Sequence, residues 1–343
     1  MVGMAKGELA GAVAGAGGVG LVGVGSAQFF SPEKALEEWE VAKAKASSGG
    51  GSRGALGFGF LENFMDDGGD ETFSACLAAK PDVVWLSFGD EPGGRRFDMV
   101  KEAGIKLITM VFSAEEARRA VARGADVVVL QGCDAGGHGR QNLSLSIVSL
   151  VPATRAALAE RGSSTAAAAA AAPPVPIVAA GGIVNGGGLA AALMLGADGV
   201  VLGTRFVSSR ESAAKDGFKS RVLAVEDATA GTAVAATWDH LNPGTGPAFL
   251  KGGFVGRAIA DSAPLRSGIT EPDRAWYKDG DYGVRAVWCG AGAGLVTESA
   301  PAGAGRIVEE VVAEAVARLR EPSHFCLTGG DRGGDDGGER PSG

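Results

Sequence analysis

The 343 residues carry 32 Lys and Arg against 40 Asp and Glu, a net charge of −8, with 45% hydrophobic and 21% charged positions. This balance describes a globular chain that can bury a substantial core as one large domain or two ordinary ones. It speaks against a nucleic-acid or anionic-membrane partner, and no apolar run reaches the ~18 residues needed to span a bilayer.

In chain order, near-continuous apolar runs predict strands at Leu21–Gly25, Ala55–Phe60, Val83–Phe88, Lys106–Phe112, Asp126–Gln131, Pro176–Ala180 and Gly199–Gly203. Helical stretches alternate with them at Glu8–Ala14, Pro32–Ala46, Thr72–Ala79, Arg95–Ala103, Ala114–Arg123, Val148–Arg161 and Gly188–Leu195. Ser31-Pro32 supplies an N-cap and an N1 proline, and Ser113 precedes an acidic first turn. Strand and helix repeated in this way predict an α/β fold with a parallel sheet covered on both faces. An eight-stranded (β/α)8 TIM barrel needs one more strand, which is expected to precede Met1, so the barrel is read as lacking its first strand.

Residues 1–206 are thus expected to form the barrel core. Beyond Phe206 the rhythm stops. Ser209–Val225 reads as helical, and 207–304 as a small, mostly helical lid. Residues 305–321 read as an amphipathic helix packing back on the barrel, and 322–343 as a disordered tail. Ser47–Gly51 and Ser163–Pro174 are low-complexity patches of the surface-insertion type.

Four cysteines (Cys76, Cys133, Cys289, Cys326) lie far apart with no metal-ligand spacing, which predicts a reducing compartment and no metal site. The N-terminus lacks the order of a signal peptide, so a cytoplasmic location is expected. The sequence assigns no oligomeric state.

The segment Val127–Arg140 carries the most chemistry. An apolar strand ends in Gln131, and a glycine-rich loop then presents His138, one of three histidines. In parallel α/β folds, chemistry sits on loops after the carboxyl ends of strands. A histidine there is a candidate proton handler, the alternative being a solvent-exposed turn residue. Gln131 can donate and accept toward a polar ring, or bond to loop backbone. Gly181 and Gly182 end one strand, and Gly203 with Thr204 ends the next; bare N–H groups in adjacent strands suit a phosphate. Lys106 is placed in the barrel mouth, with a snorkelling lysine as the alternative. Asp134 is a candidate partner for His138, the alternative being an exposed loop acid. Cys133 has no evident base, and His240 and His324 receive no role. Gly15-Ala-Gly17-Gly-Val-Gly20 matches a dinucleotide fingerprint, but a helix precedes it and a strand follows, the reverse of the required order.

Together these residues resemble the nitronate monooxygenase (2-nitropropane dioxygenase) family, FMN-dependent TIM barrels with a helical lid. The resemblance covers about Met1 to Arg320. It is carried by Ala12–Gly20, Val84–Gly89, Gln131–Gly139, Ala179–Ile183, Gly196–Phe206 and Gly256–Ala258. It implies that His138 is the active-site histidine, and that Gln131, Gly136 and Gly137 line the FMN. Gly181, Gly182, Gly203 and Thr204 are implied to hold its phosphate, and Lys106 to lie near the flavin. Met1 and Gly3 match the family's Pro-Met-x-Gly mouth of strand one, while Gly59 stands where many members have Asn. The implied reaction oxidises alkyl nitronates or nitroalkanes with O2 to a carbonyl compound and nitrite. An NAD(P)H-dependent quinone or enoyl-thioester reductase is the alternative on the same barrel. A barrel without catalysis is the alternative from another class.

Overall fold

The computed structural model describes residues 2–48, 53–65, 71–89, 94–140, 144–159, 174–226, 231–270, 273, 275, 280, 282–298 and 300–321. The expected tail, most of the 163–174 patch, and Met1 lie outside the described residues.

Seven parallel strands form one sheet in the order β1 (Gly20–Gly25), β2 (Leu56–Leu61), β3 (Val83–Ser87), β4 (Lys106–Val111), β5 (Val127–Gln131), β7 (Ile177–Ala180) and β8 (Gly199–Val201). β6 (Gly137–Gly139) lies in the loop after β5 and belongs to a second sheet. The helices that cross between strands are α1 (Gly7–Gly15), α2 (Pro32–Ser47), α3 (Glu71–Ala78), α4 (Arg95–Glu102), α5 (Ala114–Ala122), α6 (Ile147–Ala159) and α7 (Gly186–Met194). Spatial order follows chain order without a reversal, the topology of a (β/α) barrel and not of a doubly wound sheet.

Alternation along the strands produces two apolar faces. Val22, Val24, Phe58, Phe60, Val84, Leu86, Leu107, Val128, Leu130, Ile177 and Ala179 pack under the helices. Val83, Trp85, Ile108, Val129 and Ala180 pack on the other face, inside the curl. Among the described residues β1 and β8 end the sheet. At the β1 edge, Gly23 N–H donates to Ala5 O (2.7 Å), and Ala213 N–H donates to Met4 O (2.9 Å). The segment leading into α1 thereby joins β1 to the chain beyond β8.

Local chemistry sets the helix starts. Ser31 accepts from Lys34 N–H, Ser113 from Glu116 N–H, and Asn185 from Gly188 N–H, each satisfying a free first-turn donor. At the amino ends of the strands one device recurs. Asp82, Asp126 and Asp198 accept from the N–H of Leu56, Leu107 and Ile177 in neighbouring strands. Arg53, the pair Lys101 and Lys106, and Arg155 neutralise them in turn. Gly15 through Gly20 joins the end of α1 to β1, the helix-to-strand order that excludes a dinucleotide loop.

Beyond β8 come α8 (Thr204–Val207), α9 (Asp216–Leu223), β9 (Thr232–Ala235), α10 (Thr237–Leu241), α11 (Gly246–Lys251), β10 (Val255–Ile259), α12 (Ala263–Ser267) and α13 (Ala304–Arg320). The helix expected over Ser209–Val225 is shorter. Residues 208–215 are turns, with Ser209 buried and bonded back to Phe206 O. The cap also contains strand, because β6 pairs antiparallel with β10 and β10 with β9. Val255-Gly-Arg-Ala-Ile259 is a short alternating run inside an irregular stretch, which hid it in the sequence. α13 lays Ile307, Val311 and Ala315 inward and contacts α7 and α1. No helix among the described residues is long and apolar enough to cross a membrane.

Candidate active site

The carboxyl ends of β5, β7 and β8 converge with the cap. Gln131, buried at the last position of β5, donates from Nε2 to the carbonyl of His138 (2.8 Å). That bond folds the loop back and delivers it as β6, where His138 pairs with Gly256 of β10. Gly136 must be glycine, because a Cβ would collide with the Cys289 backbone. Gly137 has φ +71°, which favours glycine, and the space a side chain would fill is open.

The His138 ring is held on three sides. Its Nε2 lies 2.7 Å from Asp239 Oδ1 of α10. Phe249 of α11 stacks on it at 3.6 Å and 5°, and Trp288 stands 4.7 Å away at 50°. Phe249 in turn makes edge contacts with Phe64 and Phe88, and Phe88 with Phe254. These aromatics line the ends of β2 and β3 beside the imidazole, whose side chain is largely buried. Asp239, not Asp134, is the carboxylate partner, so the expectation for Asp134 is corrected. Asp134 points its β-carbon toward Gly182, and its backbone carbonyl accepts from Ala291 N–H (2.9 Å).

Gly181 and Gly182 follow β7 with φ +118° and +72°. A Cβ on Gly181 would stand 3.0 Å from Ala135 N, which ties this turn to the His138 loop. Gly203 precedes α8, and nothing lies within 4 Å of where its Cβ would be. Thr204 is buried, and its Oγ1 accepts from Gly290 N–H (2.8 Å). Three bare glycine backbones and a hydroxyl therefore sit at the ends of adjacent strands. Gly3 has φ +76° with open space beside it, and its neighbour Val2 packs near Gly25 at the carboxyl end of β1.

Lys106 stands elsewhere. It is the first residue of β4, 70% exposed, and pairs with Asp126 at 2.9 Å at the amino end of the sheet. Strand direction puts that end opposite His138, so the barrel-mouth reading of Lys106 is corrected.

Neither thiol near the site, half-buried Cys133 or buried Cys289, is poised as a nucleophile. Burial and then the Asp134 charge push the Cys133 thiol up, and burial pushes Cys289 up to about 12. Among the described residues no cluster of three His, Cys, Asp or Glu side chains is placed to hold a metal.

Sequence reasoning missed Asp239, Phe249 and the Gly290–Gly292 turn. Asp239 lies 101 residues from His138 in an irregular stretch and carried no signal. The alternating glycines 290, 292 and 294 were the available clue to the turn.

The nitronate monooxygenase family model matches residues 66–238. A nitronate monooxygenase of Neurospora crassa is 30% identical over 94% of this chain and 89% of its own length. Among solved structures, FabK from Thermotoga maritima aligns with a TM-score of 0.70 at 24% identity, covering 93% of this chain and 91% of that one. A nitroalkane oxidase from Streptomyces ansochromogenes aligns with a TM-score of 0.68 at 25% identity, covering 92% and 94%.

Proposed function

The chain belongs to the nitronate monooxygenase family, and from that premise we propose that it oxidises alkyl nitronates with O2, releasing a carbonyl compound and nitrite. The family relationship is consistent with a flavin cofactor; we take it to be FMN. The glycine cradle supports a mononucleotide. Gly181 and Gly182 present left-handed backbone with no side chain of its own, and Gly203 faces open space. These three and Thr204 would hold the phosphate, which suits bare N–H groups at strand and helix ends. Gln131, Gly136, Gly137 and Gly3 would border the ring. Lys106 is left out of the set.

FMN when bound supplies the redox chemistry, and the protein supplies position and electrostatics. His138 is the group for the substrate. Its Nε2 is engaged by Asp239, so Nδ1 is the nitrogen left for substrate: bare, it can take an α-proton, and once protonated it can donate to a nitronate oxygen. The Phe64, Phe88, Phe249 and Phe254 cluster beside the ring would offer apolar contact to an alkyl chain. The observation that carries this reading is His138, held by Asp239 at the end of the sheet where the glycine cradle lies.

The test is oxygen uptake and nitrite release by FMN-loaded protein given a small alkyl nitronate. Stoichiometric nitrite with O2 consumption supports the reading. Anaerobic bleaching of the flavin by NAD(P)H, with no turnover of nitronate, replaces it with the reductase.

A further inference from the structure

Asp239 is almost fully buried, yet only one of its oxygens is engaged: Oδ1 meets His138, and Oδ2 has no hydrogen-bond partner. Burying a carboxylate is costly unless its charge is matched. The elements packed around the ring offer one direct match. α11 contributes Phe249, and the chain before Gly290 contributes Trp288, neither of them charged. β10 places Gly256 opposite His138. Its next residue, Arg257, directs its guanidinium to Cys133 O and Thr232 Oγ1. On the loop itself, Arg140 lies over Phe112 and Phe254 and pairs with Glu116, while Asp134 faces Gly182. The contact between Asp239 and His138 is therefore a dyad.

An ionised carboxylate only accepts hydrogen bonds, so the nitrogen it touches carries the ring proton. We propose that Asp239 is the positioning residue of this site: it holds the His138 proton on Nε2, keeps Nδ1 bare as a base, and so admits neutral nitroalkanes as substrates alongside preformed nitronates. The inference deepens the nitronate reading and rests on it. In the added step, Nδ1 takes the α-proton of the nitroalkane. The C–H electron pair becomes the C=N bond of the nitronate, and one N–O π pair moves onto oxygen. The imidazolium so formed lies against the Asp239 carboxylate, which orients and stabilises it as in other base–orienter pairs. No electrons leave the substrate in this step, so no further oxidant is needed. Asp239 lies one residue past the end of the family-model match, on the cap. The cap therefore supplies half of the dyad, and the barrel loop supplies the other half.

The test uses FMN-loaded wild type, Asp239→Asn and Asp239→Ala. Rates are measured separately on a neutral nitroalkane and on its preformed nitronate, together with ¹⁵N NMR of the His138 ring without substrate. Asp239→Asn keeps the side-chain shape should the alanine variant fail to fold. The expected result is a loss of ~10²-fold or more on the nitroalkane, exceeding the loss on the nitronate by at least ~10-fold. The ring proton should sit on Nε2 in wild type and lose that preference in Asp239→Ala. Equal losses on both substrates, or an Nδ1–H ring in wild type, would overturn the proposal. If wild type turns over neither substrate, the nitronate reading and the substrate assignment fall together. The NMR arm then still decides whether Asp239 fixes the ring.

Discussion

The side-chain amide of Gln131 donates to the main-chain carbonyl of His138 across 2.8 Å, joining the end of β5 to the middle of β6. A side chain at the rim of the barrel thus sets the height at which the imidazole meets the cap. Gln131→Leu keeps the bulk and leaves the carbonyl without its donor, a change that costs about 1–3 kcal/mol when the group stays buried. The variant should melt several degrees lower and turn over nitronate more slowly even where it is fully folded. Thermal unfolding and oxygen uptake on the same sample check both.

Gly203 separates cofactor binding from folding. A side chain there would meet no protein atom within 4 Å, and the backbone is not in the left-handed region. Gly203→Val should fold and melt like the wild type without cofactor, yet lose most of its affinity for FMN. Flavin fluorescence titration measures the loss. An unchanged affinity would remove β8 from the phosphate site.

Lys106→Met should keep its flavin spectrum and its turnover within about twofold. The lysine is an exposed partner of Asp126 at the far end of the sheet, and such pairs contribute roughly 0.2–1 kcal/mol. Steady-state kinetics and an absorbance spectrum suffice.

Asp82 and Asp126 link stability to pH. Burial pushes both carboxyls up. For Asp82 the bonds from Arg53 and Leu56 N–H outweigh that, and for Asp126 those from Leu107 N–H, Lys101 and Lys106 do, so both end below the usual carboxylate range. A depressed folded pKa means that the unfolded chain binds the proton more readily. The stability these groups contribute is complete above the unfolded value of about 4 and is lost as pH falls through the folded one. Asp126→Asn should therefore melt below wild type at neutral pH, with the gap closing as pH falls below about 4. A gap that is constant with pH would show that the Asp126 charge is not the cause.

The sequence made the βα rhythm legible because a sheet covered on both faces needs near-continuous apolar strands, and glycines and capping serines mark their ends. The paired glycines and the His138 loop were legible for the same reason: bare backbone at strand ends leaves a pattern. The cap was not. Its strands are three to five residues long, and its pairing with β6 spans more than 90 residues, beyond any local periodicity. Asp239 was invisible because a lone carboxylate acquires its role only when Phe249 and α10 are brought over His138. Lys106 misled for a physical reason. A charged residue opening an apolar strand fits either end of a barrel, and only strand direction together with Asp126 decides which.

The central claim is that His138 handles the substrate's proton or charge at a flavin held by the glycine cradle. The most direct test is the turnover of His138→Asn with FMN bound, measured as oxygen uptake with a neutral nitroalkane. The account predicts an unchanged flavin absorbance and a rate lower by ~10²–10⁴-fold. A wild-type rate in that variant would contradict it.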